Sequence, residues 1–196
     1  VIRTEPLSPE RIAGWAELFE ASHCPCYCRY WHFQGTKNDW LARCAFDRDA
    51  SRQEHEAAVR AGADEALGLI AIAGDDVVGW MKLTPRQVLP KLTSLPVYRG
   101  RLSPDASDAG RVFAIGCLLV HPAHRGKGVA RALIAAAPAF VRAHGGAAVE
   151  AYPRTAEARL HDEEAWLGPE SVFAALGYER VAGEAPYFVY RLDLPA

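Results

Sequence analysis

The chain has 196 residues, half of them hydrophobic and 23% charged, with a formal net charge of −2. That is enough chain to bury a core and an ordinary composition for a globular protein, so a single domain over residues 1–196 is expected. No apolar run approaches the roughly 20 residues that a membrane span needs, and no signal-peptide pattern opens the sequence, so neither a membrane nor a nucleic-acid partner is expected.

The five cysteines are an odd number and form no framework of the extracellular kind, which points to a reducing cytoplasm. The small net charge hides an asymmetry. Residues 77–149 hold ten Lys/Arg against Asp105 and Asp108, whereas residues 150–196 hold nine acids against four arginines. A basic middle suits a polyanionic ligand, and an acidic C-terminal part suits a cationic one.

In chain order, residues 1–5 alternate weakly, as a first strand would. Ser8-Pro9-Glu10 is a helix start, with Ser as N-cap, Pro at the first helical position and an acid in the first turn. Ile12, Trp15, Leu18 and Phe19 then mark one helical face. The segment from His23 to Phe33 packs three cysteines, two histidines and four aromatics into eleven residues. Three readings are open. Cys and His are zinc ligands, but Cys-x-Cys-x-Cys does not match the spacing of structural zinc sites, and no metal is expected. Arg29 could activate a neighbouring thiol. Alternatively the segment is a buried aromatic loop, with cysteine as a small hydrophobe, or a wall for an acceptor substrate that includes Tyr27, Tyr30 and Trp31.

Asn38 is expected to cap a helix starting at Asp39, with Trp40 and Leu41 inward, and Ser51 to Arg60 reads as a further helix that stops at Gly62. Leu67–Ala73 and Val77–Leu83 flank Gly74-Asp75-Asp76, a hairpin signal. The connection from Pro85 to Gly110 carries four prolines together with Arg86, Lys91, Arg99 and Arg101. A loop of that length is often functional.

Val112 to Val120 is an apolar run of strand length, and Val129, Leu133, Ile134, Ala137, Phe140 and Val141 recur at helical spacing. Between them lies His121-Pro122-Ala123-His124-Arg125-Gly126-Lys127-Gly128. A glycine-rich, cationic loop leading into a helix N-terminus is an anion cradle, most naturally for a diphosphate. It is neither a Walker A loop nor a Gly-x-Gly-x-x-Gly turn. Pro138 is expected to bend the helix, and Gly145-Gly146 to end it. Ala147–Tyr152 reads as a strand, Ser171–Leu176 as a short helix and Tyr187–Leu194 as a closing strand.

Arg125-Gly126-Lys127-Gly128-Val129-Ala130 resembles the Arg/Gln-x-x-Gly-x-Gly/Ala signature of the GNAT N-acetyltransferase superfamily. Leu118-Leu119-Val120-His121-Pro122 resembles that family's fourth strand, and Gly177-Tyr178 the Gly-Phe/Tyr after its last helix. The Cys-x-Cys segment is similar to one in an uncharacterised subgroup of the family. The resemblance implies an α/β fold with a mixed, mostly antiparallel central sheet of six to seven strands flanked by helices. It implies acetyl-CoA as co-substrate, with the pyrophosphate cradled by Arg125, Gly126, Lys127, Gly128, Val129 and Ala130, and the pantetheine and thioester carbonyl on the backbone of Leu118, Leu119 and Val120. The reaction so implied is acetyl transfer to a primary amine of a small molecule or peptide, and a homodimer is one assembly open to it.

The sequence departs from the family at the acid and the base. The tyrosine that often lies four residues before Gly-Phe/Tyr is here Phe173, and the fourth strand has no carboxylate. Glu150 and Tyr152, on one face of the next strand, are the nearest candidates for proton transfer. Loss of both groups also fits a non-catalytic acyl-CoA-binding module.

Overall fold

A computed structural model describes residues 1–98, 102, 111–155 and 165–195. Seven strands form one sheet: β1 (Ile2–Pro6), β2 (Gly68–Ala73), β3 (Asp76–Pro85), β4 (Val112–Val120), β5 (Ala148–Ala151), β6 (Glu179–Glu184) and β7 (Tyr187–Asp193). Their order is β1-β2-β3-β4-β5-β7-β6, and every neighbouring pair is antiparallel except β4 with β5. The helices are α1 (Ile12–Ala21), α2 (Lys37–Phe46), α3 (Arg48–Arg60), α4 (Pro90–Ser94), α5 (Val129–Ala143) and α6 (Glu170–Ala175).

The alternation of side chains along a strand sorts the core into two layers. Leu69 and Ala71 of β2, Met81 and Leu83 of β3, and Phe113 and Ile115 of β4 point to one face. There they meet Val129, Leu133, Ile134, Ala137 and Val141, the apolar stripe of α5. Ile70, Ile72, Trp80 and Cys117 point to the other face, against Trp15, Leu18 and Phe19 of α1. α5 contains Pro138 and continues past it to Ala143, where Gly145 at φ 74° follows.

Two irregularities in the middle of the sheet shape the site. Lys82 pairs with Cys117 and Leu83 with Ile115, so Gly116 bulges. A Cβ at Gly116 would stand 2.9 Å from the Trp31 indole nitrogen and 3.3 Å from Lys82 Cδ, so this position is closed to larger residues. The parallel pairing of β4 with β5 covers Val112–Ile115 against Ala148–Ala151 only, while β4 runs on to Val120. The two strands therefore part, and a cleft opens along the second half of β4.

Some local expectations change. α2 starts at Lys37 rather than Asp39, because Thr36 is its N-cap and forms a reciprocal capping box with Asp39. Trp40 is buried as expected, but Leu41 is 53% exposed. The connection after β3 contains a 3₁₀ turn (Arg86–Val88) and α4, while Arg99 and Arg101 lie outside the described residues. β6, Glu-Arg-Val-Ala-Gly-Glu, has no apolar alternation and was not foreseen.

Candidate active site

The loop after β4 has the conformation an anion cradle needs. Gly126 and Gly128 take φ of 70° and 81°, in the left-handed region that glycine occupies without strain, and a Cβ at either would meet nothing within 4 Å. Gly128 is the N-cap of α5, with no side-chain cap. The N–H of Ala132 bonds to the Gly128 carbonyl at 2.9 Å, which leaves the N–H groups of Val129, Ala130 and Arg131 without partners in the helix. These donors and the positive end of the helix dipole face a cavity of about 340 Å³. Arg125, Gly126, Gly128, Val129 and Ala130 line it, together with Leu118, Leu119 and Val120. Lys127 is exposed and does not border the cavity. The opposite wall is Ala165, Gly168, Pro169 and Val172.

The backbone of β4 offers different groups from those expected. His121 N–H bonds to the Val78 carbonyl of β3 at 3.0 Å, and Leu118 N–H bonds away from β3 to the Trp166 carbonyl at 2.7 Å. Antiparallel alternation then turns the N–H and C=O of Leu119 toward β3 and those of Leu118 and Val120 toward the cleft. Since Trp166 already holds the Leu118 N–H, the Val120 N–H is the remaining donor on that edge.

A second cavity, of about 300 Å³, adjoins the first through Leu118 and Leu119. Its aromatic side is Tyr30, Trp31, Trp40 and Trp166, and its sulfur side is Cys24, Cys26, Cys28 and Cys117. The loop that carries the cysteines is held in an unusual shape, with His23, Tyr27 and Cys28 all at positive φ. Several contacts hold it, among them three made by aromatic side chains. Tyr27 donates its hydroxyl to Glu20, the Trp80 indole N–H points at Cys28 Sγ at 2.9 Å, and the Trp31 indole N–H bonds to the Gly116 carbonyl at 2.6 Å. Tyr30 and Trp31 therefore stand in the cavity, whereas Tyr27 is stacked on Phe19 in the core and borders a different depression.

Two of the sulfurs, those of Cys24 and Cys26, are hydrogen-bonded at 3.3 Å. The Cys26 sulfur, then burial, pushes the Cys24 thiol up, and burial does the same for Cys28. These thiols are protonated near neutral pH and behave as small hydrophobes rather than activated nucleophiles. All five cysteines are free, and among the described residues no group of three His, Cys, Asp or Glu is placed to hold a metal ion. Behind the thiols, Lys82 is fully buried and donates its ammonium to the Glu65 carbonyl. Burial lowers its pKa to about 8.

Glu150 and Tyr152 are brought together, but away from both cavities. Tyr152 donates its hydroxyl to Glu150 at 2.9 Å. Arg86 reaches both carboxylate oxygens at 3.0 Å, and Arg191 one of them at 3.3 Å. Glu150 is 1% exposed and Tyr152 0%. Phe173 is also fully buried, in the layer beneath α5 with its ring against Gly168. Sequence reasoning missed Trp166 and Lys82. Trp166 is a lone tryptophan in a polar stretch, and Lys82 a lone cation in an apolar strand; either oddity was a usable signal.

The comparisons agree with this geometry. The family model described as "Acetyltransferase (GNAT) family" matches residues 34–165, more than half of the chain. A comparison with curated protein sequences gives no match. Among solved structures, the PaiA N-acetyltransferase of Thermoplasma acidophilum, in complex with coenzyme A, is 13% identical with a TM-score of 0.56, over 98% of this chain and 99% of that one. The GNAT domain of S. lividans PAT is 18% identical with a TM-score of 0.55, over 98% and 90%. An N-acetyltransferase from Staphylococcus aureus Mu50 is 12% identical with a TM-score of 0.54, over 100% and 99%. At such identities these likenesses carry the fold, and the family rests on its own model: with the divergent β4 and β5, the glycine cradle at α5 and that match together, the chain belongs to the GNAT acetyltransferase family.

Proposed function

We propose that the protein is an acetyl-CoA-dependent N-acetyltransferase whose acceptor is a primary amine. The observation that supports this best is the meeting of the two cavities at Leu118 and Leu119. One has the donors for a diphosphate, and the other, lined by aromatic rings and thiols, has room for a second reactant. In this reading Arg125 and the Gly126–Ala130 backbone hold the pyrophosphate, Lys127 contributes charge at longer range, and the Val120 N–H meets the pantetheine arm. Placing two reactants on either side of one strand is itself a large rate term.

Proton transfer has no dedicated carboxylate beside these cavities among the described residues. Glu150 and Tyr152 belong, in our reading, to a buried ion-pair cluster that ties β5 to β7 and to the turn after β3. The amine then attacks in its neutral form, and its proton leaves with the departing thiol. The second reading is a non-catalytic acyl-CoA-binding module, and the observation in its favour is Phe173, buried where many relatives would place a proton donor. Chromatographic detection of CoA released from acetyl-CoA, across a panel of amines, separates the two. Amine-dependent release supports the enzyme; binding of acetyl-CoA with no release from any amine supports the module.

A further inference from the structure

The walls of the second cavity indicate which amines it takes. Among the described residues none of its lining side chains is ionised: four are aromatic, four are thiols, and the rest are Leu118 and Leu119. The rings are built against one another, with Tyr30 edge-on to Trp31 and to Trp40 at 5.5 Å each, and Trp31 5.6 Å from Trp166. Edge and tilted contacts of this kind are the arrangement that aromatic groups prefer, and a further ring can make the same contacts with this wall.

No charge lines the cavity among the described residues, and two ammonium groups lie just behind its walls. The Lys91 ammonium sits 4.4 Å from the Tyr30 ring centroid and 5.8 Å from that of Trp40, so two of the four rings already have a cation beside them. On the sulfur side Lys82 packs directly behind Gly116, next to Cys28 and Cys117. An ammonium entering the cavity has the like charges of Lys91 and Lys82 nearby and no carboxylate among the described wall residues. A carboxylate entering it loses water and finds no hydrogen-bonding cation in the wall. At about 300 Å³ the space is at the small end for ligand pockets, enough for a ring system with a short arm.

We propose that this cavity selects small aromatic amines that are uncharged at neutral pH, and rejects acceptors carrying a carboxylate or additional ammonium groups. The proposal rests on the acetyl-transfer reading above. The amine nitrogen bonds to the acetyl carbonyl carbon as the carbon–sulfur bond breaks, and the proton lost from nitrogen ends on the sulfur of CoA, so no further co-reactant is needed.

The test separates binding from chemistry. Titration of the full chain with 5-aminoindole, phenylalanine and spermidine, without acetyl-CoA, is read by calorimetry. The amino-indole is expected to bind at least about tenfold more tightly than either charged amine. Trp166→Ala, which keeps the backbone carbonyl held by Leu118, is expected to weaken amino-indole binding about tenfold while CoA binding stays unchanged. Tyr30→Ala, on a half-buried residue, is the second variant and should act in the same direction. Equal or tighter binding of spermidine or phenylalanine overturns the proposal, as does unchanged amino-indole binding in both variants. If amino-indole binds as expected but releases no CoA from acetyl-CoA, the acetyl-transfer reading fails and the aromatic site stands. If only spermidine drives release, the transfer reading stands and this selectivity fails.

Discussion

Lys82 is an ammonium enclosed on β3, and replacing it should make the protein more stable near neutral pH. Burial lowers its pKa from 10.5 to about 8. The folded state therefore holds the proton less tightly than the unfolded chain. Between pH 8 and 10.5 the unfolded chain binds more protons, so this group makes stability rise with pH through that window, and its full cost applies below pH 8. A shift of that size corresponds to roughly 3 kcal/mol. Lys82→Met keeps the length of the stem and removes the charge, but gives up the hydrogen bond to the Glu65 carbonyl, about 1 kcal/mol. Glu65 is half-buried, so water can replace that donor. The net expectation is a gain of about 2 kcal/mol at pH 7 that shrinks to zero or below by pH 10.5. Urea denaturation of both proteins at half-unit pH steps measures it. A variant that is less stable at pH 7, or a difference that does not change with pH, would refute the argument that burial opposes this charge.

Three further outcomes follow from the same geometry. Glu150→Gln breaks a buried carboxylate's ties to Arg86 and Arg191 and should cost about 3 kcal/mol in denaturation, with CoA affinity unchanged; lost turnover without lost stability would instead mark Glu150 as a proton-transfer group. Phe173→Tyr adds a hydroxyl to a ring whose outer atoms already lie 2.9 Å from where a Gly168 Cβ would stand. It should cost about 1–3 kcal/mol and leave turnover unchanged, and a several-fold rise in turnover would show that a missing acid limits the reaction. Burial lowers His32 to about 3 and His55 well below 6.5. Because both fold in the neutral form, their contribution is lost as pH falls below 6.5. The slope from the pair is up to about 2.7 kcal/mol per pH unit, and His55→Phe should flatten it by about half.

The strand–loop–helix unit at 112–143 was legible because three independent signals coincide there: an apolar strand, two glycines and an apolar stripe at helical spacing. β6 was not legible, since an edge strand with mostly exposed side chains needs no apolar alternation. The start of α2 was misplaced by two residues because Asn38 and Thr36 are both good caps, and only the reciprocal bond with Asp39 distinguishes them. Within the site, the cradle glycines could be named from sequence, but the roles of Leu118, Leu119 and Val120 depend on strand register, which composition does not carry. The Cys-x-Cys-x-Cys segment was ambiguous for a similar reason. Positive φ at three non-glycine residues turns it so that its thiols face Cys117, a partner almost ninety positions away in sequence.

In our proposal the α5 N-terminus binds the diphosphate of CoA, and calorimetric titration of CoA into wild type and Gly128→Val is the decisive measurement. Gly128 sits at φ 81° with open space around it on the wall of the first cavity, so a valine there is strained by about 1–2 kcal/mol and adds a side chain beside the proposed diphosphate site. Saturable binding to wild type is expected, with an affinity at least about tenfold weaker in a variant that is still folded. Equal CoA affinity in wild type and folded Gly128→Val, or no binding to wild type, would contradict it.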